Sequence, residues 1–275
     1  MRFFDKLERA ARKNGSLLCV GLDPDPALMP IDDVAAFNRA IIEATSDFVC
    51  AYKPNLAFYE ALGEKGMAAL RETLAGIPDD IPVIADAKRG DIGNTAKAYA
   101  RALFDELGFD AVTVNPYLGG DAVEPFLERE EKGAFILCRT SNPGARDFQD
   151  LPVSDGGESR PLFEVVAEAA ARWNTRGNAG LVVGATYPEE LRRVRQICPE
   201  MTFLVPGVGA QGGDVAAVMT NGLDARGAGL VINVSRQVLY ASKGRDFAQA
   251  AGEAARRLRD EIEEERRRAR QRSDS

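Results

Sequence analysis

Eight short apolar runs recur along the chain, each stopping at polar, glycine or proline residues. They are LLCVGLD (17–23), FVCAYKPN (48–55), PVIADAK (82–88), AVTVNPY (111–117), AFILCRTS (134–141), GLVVGAT (180–186), FLVPGVG (203–209) and GLVINVS (229–235). Several are apolar almost without interruption, which suits parallel strands covered on both faces. Between them VAAFNRAIIEA, ALRETLAGI, TAKAYARALFDELG, LFEVVAEAAARW, PEELRRVRQI and DVAAVMT space apolar residues by three and four, predicting amphipathic helices. Strands alternating with helices eight times predict an α/β fold, a (β/α)8 TIM barrel. A doubly wound open sheet is the alternative, and the even distribution of the eight units favours closure.

No linker or composition break interrupts the pattern, so residues 1–275 are expected to form one domain. Two segments stand apart. NPGARDFQDLPVSDGGESR (142–160) is a long connection after the fifth strand, of a length that implies a functional or mobile loop. The tail EIEEERRRARQRSDS carries acids followed by arginines and, from about residue 262, reads as a solvated, fraying helix end.

Composition narrows the function. A formal net charge of −7 argues against a nucleic-acid partner, so an anionic substrate would need local positive charge to draw it in. Cys19, Cys50, Cys138 and Cys198 are widely spaced, and three fall inside the apolar runs. They read as reduced core residues of a cytoplasmic protein rather than disulfides or zinc ligands. No apolar stretch reaches the length of a membrane span and the N-terminus lacks a signal-peptide core, so no membrane partner is expected. The chain has no histidine, which removes Ser–His triads and the commonest metal sites. Any proton chemistry falls to lysine and carboxylates.

A barrel of this kind places its chemistry at the C-terminal strand ends. Asp23 ends the first run, Lys53 lies near the end of the second, and Asp86 and Lys88 close the third, with Asp91 three residues on. Ile84, Asp86 and Lys88 alternate by two and so share one side of the strand. Blander roles stay open: Asp91 as the N-cap of the next helix, Asp23 as a turn residue before Pro24, Asp86 and Lys88 as a structural ion pair. Five charged groups at three strand ends nonetheless point to a site, since each bears a desolvation cost. The seventh run leads into PGVGAQGGD (206–214) and the eighth into NVSR, with Arg236 just beyond it. Loops after strands seven and eight are the usual phosphate site of this fold.

GLDPD (21–25), YKPN (52–55), DAKRGDIGNTA (86–96), NPY (115–117), TSNPGA (140–145), PGVGAQGGD (206–214) and NVSR (233–236) span most of the chain. In this order they resemble the orotidine 5′-phosphate decarboxylase family, in particular its longer bacterial branch. D-x-K-x-x-D alone is shared with related phosphosugar barrels; joined to PGVGAQGG and the terminal arginine it is specific. The resemblance implies cofactor-free decarboxylation of orotidine 5′-phosphate to UMP in pyrimidine synthesis, with no metal. It implies Lys88 as proton donor to C6, Asp86 beside the departing carboxylate, and Lys53 and Asp23 on the ribose hydroxyls. Ser141 would contact the base, Pro206 line its pocket, Gln211 bridge base and phosphate, and Arg236 hold the phosphate beside Ser235. Asp91, Ile92 and Thr95 would reach the neighbouring subunit's site in a homodimer.

Two features depart from the family pattern. The 142–160 loop is longer than in compact members, and Ser235 stands where other branches have glycine. Rival readings are a Mg²⁺-dependent phosphosugar enzyme of the same superfamily and a catalytically silent nucleotide-binding barrel.

Overall fold

The computed structural model describes residues 1–154, 156, 158–208 and 213–273. The eight runs form parallel strands β1 (Leu18–Leu22), β2 (Ala51–Pro54), β3 (Ile84–Arg89), β4 (Ala111–Val114), β5 (Gly133–Arg139), β6 (Ala179–Val183), β7 (Phe203–Pro206) and β8 (Leu230–Val234). They pair in the order β2–β1–β8–β7–β6–β5–β4–β3. The ends of that ribbon meet through isolated bridges, Tyr52 with Val83 and Asn55 with Asp86, and the barrel closes there. The open-sheet alternative is thereby excluded.

The principal helices are α1 (Phe3–Asn14), α2 (Val34–Thr45), α3 (Gly63–Ala75), α4 (Gly93–Arg101), α5 (Gly120–Leu127), α6 (Leu162–Trp173), α7 (Pro188–Ile197), α8 (Val215–Gly222), α9 (Arg236–Leu239) and α10 (Phe247–Ser273), with a further helical turn over Leu56–Glu60. All six amphipathic stretches read from the sequence are helical, and α4 continues into a π-helical turn over Ala102–Glu106.

Strand side chains divide by the period of two. Leu18, Val20 and Leu22 of β1, Ala85 and Ala87 of β3, and Ile136 and Cys138 of β5 face the helices. Cys19, Ala51, Ile84, Ala111, Phe135, Val182, Leu204 and Val231 form a second cluster inside the barrel. From beneath, α1 inserts Phe3 and Leu7 into that cluster, and the Phe3 ring meets Phe135 edge-on at 5.8 Å. Among the described residues the barrel is therefore packed and floored below, with its opening above. All four cysteines are free and buried; burial pushes the Cys19 thiol up to about 12.

The tail differs from its expectation. Helix α10 runs to Ser273, with Ile262 and Ala269 buried, and Arg266 donates to the Gly227 carbonyl at 2.6 Å. An apolar stripe among the charges, with aliphatic arginine stems over it, keeps this end packed. The 142–160 connection is likewise built: a 3₁₀ turn spans Pro143–Asp147, and Pro152–Val153 pairs antiparallel with Arg160–Pro161. Among the described residues no helix is long and apolar enough to cross a membrane.

Candidate active site

The inward alternation that packs the barrel continues upward into its open end, where polar residues replace apolar ones. On β2 the inward position after Ala51 is Lys53, and on β3 Asp86 follows Ile84. On β4 Thr113 follows Ala111, and on β8 Asn233 follows Val231. With Asp23, Lys88, Ser141, Pro206, Ser235 and Arg236 they line a mouth of about 400 Å³, floored by Leu137, Val182 and Leu204.

One carboxylate organises this mouth. Asp86 Oδ2 accepts from Lys53 Nζ at 2.8 Å, across the β2–β3 seam. Its Oδ1 accepts from Lys88 Nζ at 2.5 Å and from the Thr113 hydroxyl at 3.2 Å. The Lys53 and Asp86 side chains are 4% and 12% exposed, whereas that of Lys88 is 51% exposed. Of the two cations on Asp86, Lys88 is thus the more exposed to a ligand.

Burial alone would lower the Lys53 pKa, but the charges of Asp86 and Asp23 outweigh it and hold the ammonium above its usual range. Burial would raise that of Asp86, and Lys53 and Lys88 together reverse this, holding its carboxyl well below the usual range. Both groups are charged at neutral pH.

The β3 end departs from a regular strand. Its ladder with β4 pairs Ala85 with Val112 and then Arg89 with Val114, so four steps on β3 answer two on β4. Within this bulge Lys88 has φ 47°, the sole positive φ outside glycine among the described residues.

At the rim, Asp23 accepts from the Asn55 backbone N–H at 3.2 Å. Tyr240, just after α9, donates to the Asp23 carbonyl at 2.9 Å, and its oxygen accepts from the Asp25 N–H at 2.7 Å. Ser235 sits against Gly21 of β1: a Cβ at Gly21 would lie 2.0 Å from the Ser235 hydroxyl, so only glycine leaves it room. At the end of β5, Arg139 is fully buried, paired with Asp150 at 2.9 Å and stacked on Tyr187 at 4.0 Å. That pair ties the 142–160 loop to the strand end carrying Ser141.

Most sequence-predicted residues converge here: Asp23, Lys53, Asp86, Lys88, Ser141, Pro206, Ser235 and Arg236 all line the mouth. Asp91, Ile92 and Thr95 do not. They lie on the outer rim at the start of α4, and Ile92 is 57% exposed. Asp91 is not the N-cap, as that position belongs to Ile92; its Oδ1 accepts from the Ile92 N–H instead. Gln211 lies outside the described residues. The mouth carries no excess positive charge: Asp23, Asp25 and Asp86 balance Lys53, Lys88 and Arg236. The cations are instead placed apart, Lys88 by β3 and Arg236 beyond β8.

Sequence reading missed Thr113, Asn233 and Tyr240. Asn233 is buried with its Oδ1 unpartnered, facing the mouth. Counting by two from Ala111 and Val231 would have found the first two; nothing local marks Tyr240.

Most of the chain is similar to proteins already known. Residues 16–251 match the model of the orotidine 5′-phosphate decarboxylase / HUMPS family. An orotidine 5′-phosphate decarboxylase from Dehalococcoides mccartyi is 57% identical over 269 residues, 98% of this chain and all of the relative. One from Thermomicrobium roseum is 56% identical, over 96% of this chain and 95% of its own. The solved OMP decarboxylase of Leishmania donovani superposes with a TM-score of 0.85 at 45% identity, covering 97% of this chain and 99% of that one.

Proposed function

The chain belongs to the orotidine 5′-phosphate decarboxylase / HUMPS family, and from that premise we propose how its barrel mouth turns orotidine 5′-phosphate into UMP and carbon dioxide. The observation carrying the reading is the Lys53–Asp86–Lys88 network, with its one exposed ammonium at the end of β3.

Breaking the bond between C6 and the carboxylate leaves an electron pair on C6, in the ring plane, where the ring π system cannot take it up. Asp86 lies beside the departing carboxylate. The Lys88 ammonium faces the developing charge and stabilises it. It then transfers a proton to C6, completing UMP, and the neutral amine regains a proton from solvent. Lys53 holds Asp86 ionised and, with Asp23, receives the ribose hydroxyls. Ser141 and Pro206 hold the base, Gln211 bridges base and phosphate, and Arg236 beside Ser235 binds the phosphate. Phosphate binding far from C6 supplies energy that orients the reacting carbon.

The working form is a homodimer in which Asp91, Ile92 and Thr95 complete the neighbouring subunit's site. Their position on the outer rim supports this, as does the exposed apolar surface of Ile92 and of Tyr99 on the helix that follows it. Four free, buried cysteines suit a reducing cytoplasm.

The test is a continuous ultraviolet assay with orotidine 5′-phosphate, with and without EDTA, on the wild type and Lys88→Ala. Chelator-insensitive conversion to UMP, abolished in the variant while UMP binding persists, supports the reading. Turnover of a phosphosugar that EDTA blocks would assign the chain to the other branch of its family. For the dimer, mixing inactive Lys88→Ala and Asp91→Ala subunits should restore activity; no recovery under subunit exchange sinks the shared site.

A further inference from the structure

Resting on the reading of Asp86 and Lys88 as the acting groups, we propose that Thr113 is a positioning residue that holds both in their reactive geometry. Thr113 is 1% exposed at the inward position of β4 nearest the mouth. Its hydroxyl accepts from the backbone N–H of Ala87 at 3.0 Å and of Lys88 at 2.9 Å. Its own proton goes to Asp86 Oδ1 at 3.2 Å. A hydroxyl offers one donor and two acceptor positions, and all three are used.

These contacts fall where the ladder fails. Between Ala85 and Arg89 the register of β3 on β4 shifts, so the Ala87 and Lys88 amides meet a side chain instead of strand carbonyls. Lys88 adopts φ 47° there, a strained conformation for a non-glycine residue that persists only where its surroundings impose it. The turn brings Lys88 Nζ back to Asp86 Oδ1, the atom that also receives the Thr113 proton. One hydroxyl therefore fixes the backbone of the proton donor and the carboxylate that orients its ammonium. Valine fills the same volume and leaves the buried Ala87 amide, the half-buried Lys88 amide and one carboxylate oxygen without that partner. Serine keeps every hydrogen bond and loses only a methyl group.

The experiment compares wild type, Thr113→Val, Thr113→Ser and Lys88→Ala for kcat and KM with orotidine 5′-phosphate, for UMP binding, and for thermal stability. Thr113→Val is expected to lower kcat by about 10- to 100-fold, the usual cost of freeing a group that orients an acting residue. KM and UMP affinity stay within about threefold, and Thr113→Ser returns to within about threefold of wild-type kcat, since the orienting bonds are intact. Wild-type kcat in Thr113→Val, or a serine variant as slow as the valine variant, overturns the proposal. Should Thr113→Val fail to fold, the serine variant alone decides: near-wild-type kcat supports the hydroxyl, and a loss of about tenfold overturns it. Full activity in Lys88→Ala would instead sink the reading beneath it.

Discussion

Lys88 bears the one left-handed backbone outside glycine among the described residues, and this gives a stability difference with an unusual sign. Replacing Lys88 by alanine or by glycine removes the same ammonium and the same ion pair to Asp86, which keeps Lys53 as partner. Those losses cancel when the two variants are compared. What remains is backbone. An alanine held in the left-handed region costs about 1–2 kcal/mol more than a glycine. Glycine's greater freedom in the unfolded chain offsets about 0.4–1 kcal/mol of that. Lys88→Gly should thus be more stable than Lys88→Ala by about 0.5–1 kcal/mol, about 2 °C in melting temperature for a chain of this size. Urea titrations followed by Trp173, the single tryptophan and a partly buried one, would measure it. In a regular strand the order reverses, because glycine there is destabilising. An alanine variant more stable than the glycine variant would mean that the bulge imposes no left-handed geometry, and would remove the strain on which the role of Thr113 depends.

Three further outcomes follow from the same geometry. Asp86 has a depressed folded pKa, so its contribution is present above its unfolded value of 3.8 and is lost as pH falls through the folded one. Lys53 is raised, so its contribution is full below 10.5 and lost only at higher pH; urea midpoints should therefore carry no transition from this pair between about pH 5 and 9.5, and one appearing there would contradict the assignment. Arg236→Ala should raise KM about 10- to 100-fold with kcat far less affected, the worth of a charge-assisted phosphate contact; unchanged KM would move the phosphate elsewhere. Gly21→Ala, whose Cβ would meet the Ser235 hydroxyl at 2.0 Å, should weaken UMP binding, and Ser235→Gly in that background should restore it; calorimetry finding no restoration would rule out this clash as the cause.

Much of the site was legible because charge is conspicuous in an apolar strand. Lys53, Asp86 and Lys88 interrupt runs that otherwise read as buried, and a period of two fixes which way they face. Asp23 and Arg236 could be placed because they follow strand ends. Thr113 was illegible for the opposite reason: threonine is an ordinary strand residue, and only the register shift opposite it gives its hydroxyl three partners. The α1 helix went unread although Phe3, Leu7 and Ala10 share one face, since it precedes the first strand and lies outside the alternating pattern. The tail misled because its arginines outnumber its buried positions. A local pattern of charge states what a helix exposes, not whether Ile262 finds a groove to fill.

The floor of the barrel has a consequence for traffic. Phe3 and Leu7, pressed up beneath Phe135, turn what could be a tube into a cup. Among the described residues, whatever binds above them meets a closed floor and reaches solvent through the mouth. In the proposed reaction the nucleotide, the carbon dioxide it releases and the water that would compete for the nascent carbanion all share that passage. A segment folding over the mouth would set the residence time of the gas, the dryness of the site and the exit of the nucleotide together, which a channel open at both ends would let drift apart.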